Sequence, residues 1–101
     1  MITILYVTHP NEAHAKKISN LLVEEKCVAC VNIFPIRSIY PWQGKMNDDH
    51  EYVSLLKTLP EKKTEVIRRI ESLHEYKVPC IIQYEVYVNP AYKAWLTECL
   101  K

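Results

Sequence analysis

Ala29–Thr58, ACVNIFPIRSIYPWQGKMNDDHEYVSLLKT, is the stretch whose reading decides the fold. It reads as two β-strands joined by a turn at Trp42-Gln43-Gly44-Lys45. Gly44 is the only glycine in the chain, and glycine tolerates the positive φ that tight hairpin turns require. The first arm, 29–40, is rich in Val, Ile, Phe and Tyr, with Pro35 inside it. Proline removes a ladder donor, so Pro35 marks an edge strand or a bulge. The second arm is expected over 50–58. Twelve residues at ~3.3 Å each make an arm of about 40 Å, against a diameter of about 34 Å for a compact domain of this size. The arm therefore projects, or it bends at Pro35 and folds back on its own core. A projecting arm that carries Ile39, Tyr40, Trp42 and Tyr52 leaves apolar surface and strand edge to be covered. Another subunit is the expected cover.

Outward from this hairpin the chain reads in order. Ile2–Thr8 is β-rich and forms the first strand. Thr8 is expected to cap a first helix, with Pro10 and Glu12 in its first turn. Ala15, Ile18, Leu21 and Leu22 recur at helical spacing, and the helix ends near Lys26. After the hairpin, Thr58-Leu59-Pro60-Glu61 has the form of a capping box. Val66, Ile67, Ile70, Leu73 and His74 then share one face of a second helix. The alternating run CIIQYEVYV, 80–88, is the fourth strand. Asn89-Pro90 opens a third helix, with Tyr92, Trp95, Leu96 and Cys99 on one face. The fold class is α+β: a ferredoxin-like βαββαβ domain over 1–101 with a C-terminal helix. Strands two to four offer apolar residues to both sides, so the sheet needs cover on both faces.

Composition narrows the function. The chain has 101 residues, 13 Lys and Arg against 12 Asp and Glu, and a net charge of +1. No basic stripe favours nucleic acid, and no apolar run approaches the ~20 residues of a membrane span. The start, MITILYVTHP, does not read as a signal peptide. The four cysteines, Cys27, Cys30, Cys80 and Cys99, are expected as reduced thiols in the cytoplasm. No nucleophile elbow, glycine-rich phosphate loop or H-E-x-x-H motif is present, so no enzyme is expected.

Together these motifs resemble the CutA family of divalent-cation tolerance proteins. The similar residues run from ACVNI at 29–33 through Pro35, Ile36, Ser38, Tyr40, Trp42, Gly44-Lys45, Asp49, Glu51 and Lys57-Thr58. They continue through His74, Tyr76, Val78-Pro79 and Ile81 to Asn89, Tyr92 and Trp95. The resemblance implies a homotrimer similar to the PII signalling proteins, locked by its long hairpins, with Tyr40, Trp42 and Trp95 at the trimer interface. It implies copper or another divalent cation as ligand, no organic cofactor, and an unidentified protein as a further partner. Three departures stand out. Glu75 and Cys80 replace the family's usual proline and glutamate, and the turn before Asn89 is short and lacks glycine.

His74 and Cys80 are the expected metal ligands, since imidazole and thiolate both suit copper or zinc. The opposing reading is a helix-end histidine bonded to backbone beside a buried cysteine. Cys27 and Cys30 have C-x-x-C spacing without a second pair, which favours core filling. His9 and His14 straddle a helix boundary and are expected to be solvated. His50 lies among Asp48, Asp49 and Glu51, a loop cluster that could attract a hard cation. Lys45, Asp49, Glu51, Lys57 and Tyr76 are expected to line an inter-subunit cleft. The alternative function is thus a PII-like trimer that binds a small metabolite there. The competing reading of the same residues is an ion pair between Lys57 and Glu51 or Asp49 of a neighbour.

Overall fold

The computed structural model describes all residues, Met1–Lys101. Its elements are β1 (Ile2–His9), α1 (Glu12–Glu24), β2 (Cys30–Trp42), β3 (Lys45–Thr58), α2 (Lys63–Leu73), β4 (Ile81–Val86) and α3 (Pro90–Cys99), with a 3₁₀ turn over Pro60–Lys62. They form one antiparallel sheet in the order β2-β3-β1-β4. This is the expected βαββαβ arrangement with a terminal helix.

Side-chain alternation along β1 separates the two faces of the sheet. Thr3, Leu5, Val7 and His9 are fully buried, while Ile4, Tyr6 and Thr8 are half-buried. Leu5, Val7 and Leu56 meet Ile18, Leu22, Val66 and Ile70 of α1 and α2 in the main core. A second cluster, Ile2, Leu59, Leu96 and Leu100, forms where α3 closes one end of the chain. The rest of the sheet's second face stays open, with Ile82 and Tyr84 exposed on the β4 edge.

The hairpin is longer and straighter than the sequence suggests. Its ladder runs without interruption from Cys30↔Lys57 to Trp42↔Lys45, through Pro35↔Tyr52. There is no bulge and no fold-back. β2 is an edge strand. A two-residue hairpin is closed by a hydrogen-bonded pair, here Trp42↔Lys45, so pairs at odd offsets from it are the non-bonded ones. Pro35 and Pro41 both fall at odd offsets, so their missing N–H groups cost the ladder nothing. The pairing of β1 with β3 stops at His9↔Tyr52. The seven outer pairs, from Ile36↔Glu51 outward, therefore overhang the sheet. The molecule measures 46 × 24 × 21 Å as a result.

Four local expectations are corrected. The second arm begins at Lys45, not His50. Pairing with β2, reinforced by Arg37–Asp48 at 2.6 Å and Tyr40 Oη to Asp49 at 2.5 Å, carries polar residues into strand conformation. Asn11, not Thr8, caps α1, accepting from His14 N–H at 2.8 Å, because β1 extends through His9. Thr58 caps no helix. It ends β3, and its hydroxyl donates to the Cys27 carbonyl at 2.7 Å. Strand four covers only Ile81–Val86.

The turns follow from backbone sterics. Gln43 (φ 51°) and Gly44 (φ 75°) both take positive φ, as a type I′ hairpin requires. Lys26 (φ 58°) takes the left-handed position after α1. There Lys26 N–H reaches Val23 O and Cys27 N–H reaches Leu22 O, the paired bonds of a Schellman motif.

Candidate functional site

Three imidazoles meet at one end of the helix-covered face. His9 ends β1, His14 lies in the first turn of α1, and His74 follows the last turn of α2. One ring nitrogen from each lies within 4.8 Å of the others. Topology brings them together. α1 starts where β1 ends, and α2 ends just before β4, whose first residue pairs with Val7 near the end of β1. His9 is fully buried and His14 and His74 are half-buried. The expectation that His9 and His14 are solvated is therefore overturned for His9.

The hydrogen bonds fix the tautomers, because a backbone N–H can only donate and a carbonyl can only accept. His74 donates from Nε2 to Thr8 O at 2.8 Å and accepts Tyr76 N–H on Nδ1 at 3.0 Å. His14 accepts Glu75 N–H on Nε2 at 3.3 Å. Its Nδ1–H then donates to His9 Nδ1 at 2.9 Å. That leaves His9 Nε2–H to donate to Ser54 Oγ at 2.7 Å. All three rings are thereby satisfied as neutral imidazoles. Burial, and next the adjoining rings of His14 and His74, lower the His9 pKa to about 3. Burial and His74 lower that of His14 as well. Neutral imidazole is the form that ligates metal.

Three nitrogen donors suit zinc or copper. Cys80 is not among them. It lines a groove beside Glu51, between the hairpin overhang and the segment after α2. Burial and then the Glu51 charge raise its thiol pKa.

Within one chain, Glu51 and Tyr76 of the residues expected at an inter-subunit cleft are brought together, while Lys45, Asp49 and Lys57 lie elsewhere along β3. Glu51 is 8% exposed and accepts Tyr76 O–H at 2.5 Å. Asp49 accepts from Tyr40. Lys45 closes the hairpin opposite Trp42. Lys57 is six residues along β3 from Glu51, about 20 Å away, with its ammonium 5.5 Å from the centre of the Tyr92 ring. Trp95 packs on Tyr92 with ring centres 5.4 Å apart and stays half exposed. His50 lies in β3 opposite Arg37. Cys27 is buried in the main core and Cys30 lies in β2, and both are free thiols.

Sequence reading passed over His9 and His14 because their spacing fits no single-helix metal motif. The usable signal was topological, since the end of β1, the start of α1 and the end of α2 must share one edge of such a sheet.

Comparisons with known proteins agree with this architecture. The family model described as CutA1 divalent ion tolerance protein matches residues 3–99. The divalent-cation tolerance protein CutA of Pyrococcus horikoshii is 40% identical over 96 residues, covering 94% of each chain. That of Thermotoga maritima is 38% identical over 96 residues, covering 94% of this chain and 95% of the relative. Among solved structures, CutA1 from Pyrococcus horikoshii superposes with a TM-score of 0.96 at 40% identity, over 100% of this chain and 99% of that one. The periplasmic divalent cation tolerance protein CutA from Archaeoglobus fulgidus gives 0.95 at 34% identity, over all of both chains. The chain belongs to the CutA1 divalent ion tolerance family.

Proposed function

We propose that this protein is a non-catalytic, homotrimeric divalent-cation binder, with copper as the first candidate, whose ion is held by His9, His14 and His74. The observation that carries the reading is the convergence of three ring nitrogens within 4.8 Å. The donor set fits the group, since imidazole serves Cu(II) and Zn(II) well. Both rings with lowered pKa are unprotonated near neutrality, so protons do not compete for them. Each of the three rings gives up one hydrogen bond to ligate an ion: His74 one to Thr8 or Tyr76, and His9 and His14 the one they share. Cys80 lies outside the set, so binding does not depend on a thiolate.

Assembly is supported by exposed apolar side chains along the overhang, Ile39 at 68%, Met46 at 72% and Trp42 at 57%. The unpaired edge of β2 runs beside them. Four free thiols are the ground for placing the protein in the reducing cytoplasm.

The test is calorimetric titration of the reduced protein with Cu(II) and Zn(II), alongside sedimentation equilibrium. One ion per chain is expected. His14→Ala and His74→Ala should each weaken binding about tenfold or more, and Cys80→Ser should leave it unchanged. The expected mass is three times the 11.9 kDa chain. Affinity untouched by both histidine changes would remove the metal reading, and a monomeric mass would remove the assembly.

A further inference from the structure

Ser54 is a polar residue in an apolar run of β3, Val53-Ser54-Leu55-Leu56. β3 is an inner strand of the sheet, and Ser54 sits between Val7 of β1 and Ile33 of β2. The residue is 1% exposed. Its side chain makes one hydrogen bond, to Nε2 of His9 at 2.7 Å. A buried hydroxyl adds nothing to apolar packing, so what Ser54 contributes here it contributes to His9.

That contribution decides which nitrogen of His9 is free. The two nitrogens of an imidazole are distinct, and the hydrogen bond made by one sets the role of the other. Nε2–H is committed to Ser54 Oγ, which leaves the lone pair on Nδ1, facing His14 at 2.9 Å. These two are the only hydrogen bonds of the His9 side chain. Once His9 gives up the bond it shares with His14, Ser54 is the one partner that still fixes the ring. Turning the ring over about Cβ–Cγ would exchange nitrogen for carbon at the Ser54 position and lose that bond. An acceptor on the far nitrogen also makes an imidazole a better donor to a metal. β3 supplies none of the three imidazoles, which come from the end of β1, the first turn of α1 and the end of α2. Ser54 therefore ties the cluster to the middle of the sheet.

We propose that Ser54 is a positioning residue of the metal site, holding His9 by Nε2–H so that Nδ1 is the ligating atom. This rests on the metal reading above and names the group that sets the orientation and donor strength of its most buried ring.

The test pairs zinc titration by calorimetry with long-range proton–nitrogen NMR of the 15N-labelled protein, on the full chain in its solution assembly. In the parent, His9 should keep its Nε2 proton and take Zn(II) on Nδ1. Ser54→Ala should weaken zinc binding about tenfold or more. Ser54→Thr, which keeps the hydroxyl, should return affinity to within about threefold of the parent. Thr58→Val, a destabilising change on the same face of β3 but at the Thr3 end of the β1 pairing, should leave affinity unaltered. A serine that served the fold alone would lower stability when changed to alanine and leave zinc affinity untouched. Parent-like affinity in Ser54→Ala therefore overturns the proposal, as does zinc on Nε2 of His9 in the parent, a result that needs no variant. Equal loss of affinity in Thr58→Val overturns it too. Absence of zinc binding by the parent removes the metal reading and this proposal with it, whereas binding that Ser54→Ala does not weaken removes this proposal alone.

Discussion

The backbone N–H of Tyr76 donates to Nδ1 of His74 at 3.0 Å, and this bond joins the two polar sites of the protein. His74 belongs to the imidazole cluster, while the Tyr76 phenol reaches across to Glu51. The segment between α2 and β4 thus rounds the end of the sheet with one residue committed to each face.

Tyr76→Phe should destabilise the protein by about 1–3 kcal/mol, because it leaves the buried Glu51 carboxylate without its donor. Urea denaturation at neutral pH measures this. The His74–Tyr76 backbone bond survives the change, so metal affinity should stay within about threefold of the parent.

Stability should fall on acidification. The His9 pKa drops from 6.5 to about 3 on folding. Between those values the unfolded chain binds a proton that the folded chain does not. The contribution is therefore complete above the unfolded pKa and is lost as pH falls from 6.5 toward 3, at up to about 1.4 kcal/mol per pH unit. The lowered pKa of His14 acts in the same direction. Urea midpoints at about pH 7.5, 6 and 5 should decline steadily, and His9→Asn should flatten the slope while lowering the starting value.

Gly44→Ala should cost about 1 kcal/mol, since φ is +75° and an added Cβ meets nothing within 4 Å that could repay the strain. Gln43→Asn should stabilise by a few tenths of a kcal/mol or more, because asparagine accepts the left-handed conformation that Gln43 now holds. Thermal melts of the two variants should move in opposite directions.

Thr58→Val should cost about 1 kcal/mol by orphaning the Cys27 carbonyl at a buried junction of β3 with the turn after α1. Thr58→Ser should recover most of the loss in the same assay. A capping role at α2 would instead make Thr58→Asn neutral.

Much of this molecule was determined by local sequence. Gly44 set the turn, the β-rich arms set the hairpin, and the alternation of apolar residues set the strands, because hairpin geometry and side-chain period are short-range properties. The helix at 63–73 and the edge position of Pro35 were legible for the same reason. The tertiary structure alone decided which polar residues meet. Lys45 to His50 look like loop by propensity and became strand because β2 was there to pair with them. Asn11 took the cap expected of Thr8 because β1 runs on through His9, and Thr58 turned its hydroxyl to the Cys27 carbonyl instead of to a helix. His9, His14 and His74 are separated by up to 65 positions and were joined by the placement of two helices on one sheet. Glu51 and Lys57, near in sequence, were held apart by an extended strand, and Glu51 found Tyr76 instead. Contacts at the ends of packed elements depend on how those elements dock, and no local pattern encodes that.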